Sequence, residues 1–272
     1  MNDHKLPLGR ETGYPDKYAP ELLFAIPRAT NRSVLGIAEP LPFTGVDIWN
    51  AWDLSWLGSR GRPAAATAEI VVPADSVNII ESKSLKLYLS SFSMHRFESQ
   101  EIVAETIRND LGSSAEADVT VRVTPLAASE ARSVSRLAGT CIDYEDVACG
   151  DEDVNTDHLR ADARSLVRED LHTHLLRSLC PITAQPDIGS LQISYRGPEI
   201  ERAGLLQYVV SYRQHNDFHE SCVERMFVDI LERCEPESLS VHACYQRRGG
   251  IDINPFRSNT GDKPRNLRLW RQ

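Results

Sequence analysis

The sequence has no apolar run near the ~18 residues that span a bilayer, so a helical membrane protein is not expected. The first twenty residues, Met1 to Pro20, are polar and mixed in charge, without the apolar stretch of a secretory signal. No GxGxxG occurs, so a Rossmann dinucleotide site has no support. Six cysteines, at 141, 149, 180, 222, 234 and 244, form no CxxC pair, which argues against a ribbon- or finger-type structural zinc site. These absences point to a cytoplasmic protein with free thiols. An excess of base is also missing. The 30 Lys and Arg stand against 39 Asp and Glu, and the net charge of −9 opposes a nucleic-acid surface. Gly and Pro, 15 of each, are too few for a disordered or low-complexity chain.

What is present suffices for a core. The 272 residues, 41% of them hydrophobic, fit one large domain or two modest ones. Charge is uneven along the chain. Residues 247–272 hold Arg247, Arg248, Arg257, Lys263, Arg265, Arg268 and Arg271 against Asp252 and Asp262, seven bases to two acids. Such a cluster suits the phosphates of a small molecule, although a solvated basic tail has the same composition.

The chain also repeats itself at an offset of 120 residues. Ile80-Glu81 precedes Leu85, Tyr88, Ser91 and Phe92, and Ile200-Glu201 precedes Leu205, Tyr208, Ser211 and Tyr212 at the same spacings. In the second half, alternation predicts strands over 171–179, 191–195 and 238–246, with one more near 251–254. Helical spacing predicts helices over 201–213 and 220–234, and Arg196-Gly197-Pro198 reads as a chain break. The first half gives strands over 52–57, 68–72 and 118–123 and helices over 85–92 and 97–111. The reading is therefore α+β, with two tandem modules that each place two helices on one face of an antiparallel sheet. Residues 1–45 form an extension, 46–126 the first module, 127–163 an acidic connection and 164–272 the second module. A sheet covered on one face only favours association into an oligomer.

Cys180 ends a predicted strand in Leu-Cys-Pro-Ile-Thr-Ala-Gln-Pro-Asp, and Pro181 and Pro186 force an irregular loop there. Asp187, seven residues on, could fold back beside the thiol, giving a nucleophile with a proton donor at hand. A buried structural cysteine would look the same. Cys222 and Cys234 fall on a helix, Cys244 in a strand, and Cys141 and Cys149 in the connection with no nearby partner. His219 and Glu220 lie at a helix start, where an acid is favoured in any case; alternatively Glu220 could accept two parallel hydrogen bonds from a guanine-like edge. Lys83 and the hydroxyls of Ser82 and Ser84 could hold phosphate at another helix start, or merely cap it.

Taken together, the segments Glu81 to Tyr88, Cys180 to Asp187, Phe218-His219-Glu220 and Arg247 to Pro255 resemble the QueF family, the NADPH-dependent 7-cyano-7-deazaguanine reductases, in its long two-module form. The resemblance runs from about Pro42 to the C-terminus. It implies a tunnelling fold and a metal-free site. It implies Cys180 as nucleophile, Asp187 as proton donor, and Ile80, Glu81, Ser82, His219 and Glu220 around the base. It implies Ser82, Lys83, Arg248 and Gly249 around NADPH. A homodimer acting on a free deazapurine, with no direct nucleic-acid or membrane partner, completes the expectation, and Asp187 should sit in a partly buried position. Since Lys83 and Arg248 come from different modules, the site is expected between modules or between subunits. Two other readings stay open: a zinc-dependent cyclohydrolase drawing ligands from His172, His174, Cys180 and His219, and a non-catalytic purine- or pterin-binding module.

Overall fold

The structure, a computed structural model, describes residues 15, 17–128 and 133–272. Readings made above for residues 1–14, 16 and 129–132 lie outside the described residues. In chain order the elements are β1 (Ala25–Pro27), α1 (Arg28–Val34), β2 (Thr44–Leu57), β3 (Pro63–Pro73), β4 (Asn78–Ile80), α2 (Ser82–Ser90), α3 (Gln100–Ala115), β5 (Thr120–Pro125), β6 (Thr140–Cys141), β7 (Ala161–Leu179), β8 (Pro186–Ile200), α4 (Arg202–Ser211), α5 (His219–Cys234), β9 (Ser238–Tyr245) and β10 (Ile251–Ser258). The fold is α+β, with the strand–strand–helix–helix–strand order of the tandem tunnelling-fold arrangement occurring twice.

Two compact units emerge, and both are discontinuous. The first takes the chain up to Asn31, then Ile48–Ser133 and Arg247–Asp252. The second takes Arg32–Asp47, Val134–Gln246 and Ile253–Gln272. The observed units therefore do not follow the linear segments read from sequence, because short pieces of chain cross over at residues 32–47 and 247–252. In the first unit β3 lies between β2 and β5, and it pairs β5 antiparallel from Ala66↔Pro125 to Val71↔Thr120. In the second the order is β10-β9-β8-β7-β6, with only the β6–β7 pair parallel. Each sheet turns an alternating set of side chains inward: Ala66, Ala68, Ile70 and Val72 from β3 are all buried. The covering helices answer at i, i+4 spacing, with Val103, Ile107, Leu111 and Ala115 of α3 removed from solvent and Val223, Phe227 and Ile230 of α5 likewise.

Hydrogen bonds extend the repeat beyond what the sequence showed. Tyr88 Oη donates to Asp110 at 2.6 Å, and Tyr208 Oη donates to Asp229 at 2.7 Å. Ser91 Oγ donates to the Tyr88 carbonyl and Ser211 Oγ to the Tyr208 carbonyl. The same two hydroxyls accept from Ala19 N and Asn155 N. Glu81 N reaches Phe24 O, and Glu201 N reaches Arg160 O, each at 2.9 Å. Residues 19–27 thus do in the first unit what 155–163 do in the second, so part of the N-terminal extension belongs to the module itself.

Two strands differ from the sequence reading. β7 begins at Ala161, ten residues before the predicted start, and β8 runs straight through Arg196-Gly197-Pro198. Pro198 is tolerated because the β8–β9 pairing ends at Arg196↔Ser238, so its missing N–H is not needed on that side. Gly197 lies so close to Pro236 that an added Cβ would sit 2.7 Å from the proline Cα.

Candidate active site

Cys180 opens the six-residue loop between β7 and β8. Its N–H donates to Gln185 O at 3.0 Å, and its carbonyl accepts from Ala184 N at 2.9 Å, with Ala184 held at φ 53°. Leu179 N donates to His215 O, and Asp217 N to Leu179 O, which ties the loop to the chain entering α5. Asp187 is the cross-strand partner of Ser178, so both side chains share one face of the hairpin. That face is buried: Asp187 is 5% exposed and Ser178 fully enclosed. Cys180 follows Ser178 by two residues, the period that returns to the same face, and is itself half-buried.

The first turn of α5 supplies the other wall. His219 Nε2 lies 3.4 Å from Asp187 Oδ2, close enough for an ion pair but not aligned as a hydrogen bond. The His219 ring packs on Tyr245 at 3.9 Å between centroids, and Glu220 is buried beside it in sequence. Among the described residues, four buried side-chain polar atoms lack a hydrogen bond: Ser178 Oγ, His215 Nε2, His219 Nε2 and Tyr245 Oη. All four belong to the segments that frame Cys180. Two of them face carboxylates, His215 Nε2 at 3.7 Å from Asp217 and His219 Nε2 at 3.4 Å from Asp187, so the group is under-satisfied and has capacity for a polar ligand. Burial pushes the Tyr245 phenol well above its ordinary range, so it stays a neutral donor. Burial likewise raises Cys222, and raises Cys234 to about 11, so both are protonated packing residues of α5, as the sequence suggests. Ser178 and Tyr245 escaped the sequence reading because neither lies in a motif; the two-residue step from Ser178 to Cys180 was the only signal.

In the first unit, Ile80 and Glu81 close β4 and start α2. The Glu81 carboxylate accepts from Lys83 N at 2.8 Å and Ser84 N at 2.7 Å, so it is the N-cap of α2. The repeat-related Glu201 makes no such bond at the start of α4. A carboxylate offers about four lone-pair positions, so capping fixes the orientation of Glu81 while leaving room for a ligand edge. Lys83 and Ser82 are half-buried on the first turn. Arg248-Gly249-Gly250-Ile251 is a tight turn, with Arg248 N donating to Ile251 O and both glycines at positive φ, 59° and 81°. A Cβ on Gly249 would sit 3.1 Å from Lys86 Cδ. This brings Gly249 and α2 together within one unit, where the sequence had set them in different modules. A cavity of about 320 Å³ lies there, lined by Asp53, Ser55, Lys83, Lys86, Ser90, Ser93, Gly249 and Gly250 among others. A larger one, about 560 Å³, lies in the second unit around Arg136, Arg168, His242, Lys263 and Arg265 and includes none of the expected site residues.

His172 and His174 do not join Cys180 and His219, as the zinc alternative required. They lie on β7 beside Cys141 of β6, which therefore has near partners after all.

Sequence models of two related families match the chain. One, described as nitrile reductase, 7-cyano-7-deazaguanine-reductase N-terminal domain, covers residues 14–123. The other, described as QueF-like protein, covers residues 186–264. The first match contains Ile80, Glu81, Ser82 and Lys83; the second contains Asp187, His219, Glu220, Arg248 and Gly249; Cys180 falls between them. Among solved structures, the apo crystal structure of the archaeosine synthase QueF-Like matches at 22% identity over 36% of this chain and 96% of that one, with a TM-score of 0.31.

Proposed function

The chain belongs to the QueF nitrile reductase family, and from that premise we propose that it reduces the nitrile of 7-cyano-7-deazaguanine to an aminomethyl group with NADPH. The family domains indicate queuosine-pathway chemistry. The observation that supports the finer reading is the hairpin that holds Cys180 next to a strand whose buried Asp187 lies 3.4 Å from His219.

A nitrile accepts hydride poorly, because charge on nitrogen has nothing to absorb it. The Cys180 thiolate adds to the nitrile carbon while the Asp187 carboxyl delivers a proton to nitrogen, giving a thioimidate. That step requires a carboxyl group that keeps its proton near neutral pH, and burial is the condition that favours the neutral form. Two NADPH molecules, bound one after the other, would each supply one hydride, the first for the thioimidate carbon and the second for the imine that remains once the C–S bond breaks, with a further proton completing the amine. Cys180 leaves as thiolate after the first, and a site that excludes water retains the imine for the second. His219 and Glu220 are poised to hold the base, with Glu220 accepting from its N–H edge.

The cofactor needs its phosphates held without a Rossmann turn. Lys83, Lys86 and the glycine turn fit that need, since two basic side chains and close-approaching backbone line one cavity of about 320 Å³. In this reading the enzyme is a cytoplasmic homodimer acting on the free base. Arg248→Ala is expected to raise KM for NADPH far more than KM for the nitrile; equal effects would remove Arg248 from the cofactor site.

The decisive test is the intact mass of the protein mixed with the nitrile in the absence of NADPH. A gain of one whole substrate, absent in Cys180→Ala and discharged by NADPH, is expected. Demonstrated binding with no mass gain would sink the covalent step.

A further inference from the structure

Away from Cys180, the second unit holds a separate group of side chains with metal-ligand chemistry. One potential ligand atom each from Cys141, His172 and His174 lies within 4.8 Å of the other two. We propose that these three residues bind a zinc ion, which fastens the segment around β6 to the edge of β7. The site is additional to the reductase reading and independent of it. His174 precedes Cys180 by six residues, about 20 Å along an extended strand.

The local structure prepares both imidazoles. His172 Nδ1 lies 3.1 Å from the Ala138 carbonyl, and a carbonyl can only accept, so that nitrogen carries the proton and Nε2 keeps its lone pair. His174 Nδ1 lies 2.8 Å from Ser190 Oγ, a hydroxyl that orients the second ring and is able to accept its N–H. Fixing one ring nitrogen so that the other faces a metal is what histidine ligands require.

Cys141 is placed by the backbone. β6 pairs with β7 through only Thr140↔Leu171 and Cys141↔His172, followed by Ile142 N donating to His172 O at 2.9 Å. Gly139, at φ 87°, lets the chain press so close to β7 that a Cβ would lie 2.0 Å from Asp170 O. Asp143 then anchors the far side, accepting from Thr173 Oγ1 at 2.6 Å and from His174 N at 2.9 Å. The thiol is thus carried to two histidines by a short, weak strand pair that a metal would reinforce.

One thiolate and two imidazoles are a donor set of borderline softness, suited to Zn²⁺ with a fourth position for water. Binding displaces one proton from the Cys141 thiol and forms one Zn–S and two Zn–N bonds. The Asp143 carboxylate balances the remaining positive charge.

The test is elemental analysis of the full-length protein after exposure to zinc and desalting. About one zinc per chain is expected, falling at least tenfold in Cys141→Ser and in His172→Gln while Cys149→Ser keeps it. Cobalt added to the metal-free protein should give the visible bands of a tetrahedral site with a thiolate-to-cobalt charge-transfer band, and Cys141→Ser should lose the latter. Since Cys141→Ser could misfold, circular dichroism accompanies each variant, and His172→Gln serves as the second probe. No stoichiometric zinc in the wild-type chain, or cobalt bands that survive in folded Cys141→Ser, would overturn the site. Nitrile reduction by the metal-free protein is a separate readout, so failure of either proposal is recognisable alone.

Discussion

His242, on β9, is buried, with its ring 5.7 Å from Phe256 and its Nε2 3.9 Å from Cys244 Sγ. Burial lowers its pKa from 6.5 to about 4. The folded chain therefore refuses a proton that the unfolded chain accepts from pH 6.5 downward. Stability that is complete above pH 6.5 is lost as pH falls toward 4, by roughly 3 kcal/mol through this one group. Urea unfolding of wild type and His242→Gln at pH 7 and pH 4.5 measures it. The variant should lose distinctly less than the wild type, and equal losses would acquit His242. At this scale the site was partly legible. Cys180 and Asp187 stood out by spacing and flanking prolines, but Tyr245 and Ser178 meet them only through strand pairing and packing, which no local pattern reports.

The two long helices end alike. Glu116 closes α3 and Glu235 closes α5, each in the left-handed conformation, at φ 51° and 48°. Each donates its N–H back to the fourth residue before it, Gly112 or Leu231. A side chain in that conformation costs about 1 kcal/mol that glycine avoids. Glu235→Gly should therefore raise stability by about 0.5–1 kcal/mol, with Glu116→Gly gaining less because it removes the bond from Asn78 Nδ2 to the Glu116 carboxylate, read from the midpoint of urea unfolding. A destabilised Glu235→Gly would mean that the glutamate side chain itself matters there. The helices were legible because each buries one stripe at helical spacing. The start of β7 was not, because residues 161–170 leave both faces largely exposed and so show no alternation of apolar and polar. The break read at Arg196-Gly197-Pro198 failed for a related reason: whether proline ends a strand depends on whether a neighbour needs its N–H.

For the whole chain, the discontinuity of the units has an energetic core. Arg257, wholly buried in the second unit, donates to Asp47 Oδ1 and to Glu224 Oε1, each at 2.8 Å, and Glu224 also accepts two bonds from Arg32. Arg32 and Asp47 come from the 32–47 piece, about a hundred residues before the body of that unit. A fragment 134–272 lacks both, so Arg257 and Glu224 keep each other but lose the bonds to Asp47 and from Arg32, and losing one partner of a buried pair costs about 3–5 kcal/mol. The expected result is a fragment without a cooperative thermal transition, and Asp47→Ala in the full chain should be destabilised by a similar amount. A sharp melt for the fragment would refute this. The matched tyrosine–aspartate and serine–carbonyl bonds lead further. The two halves are thus built on one hydrogen-bond plan, with the same partners in the same order. On that plan the halves differ at their helix starts: the first has side-chain caps on both, through Glu81 and Ser99, while the second has neither and carries Cys180 and His219 instead.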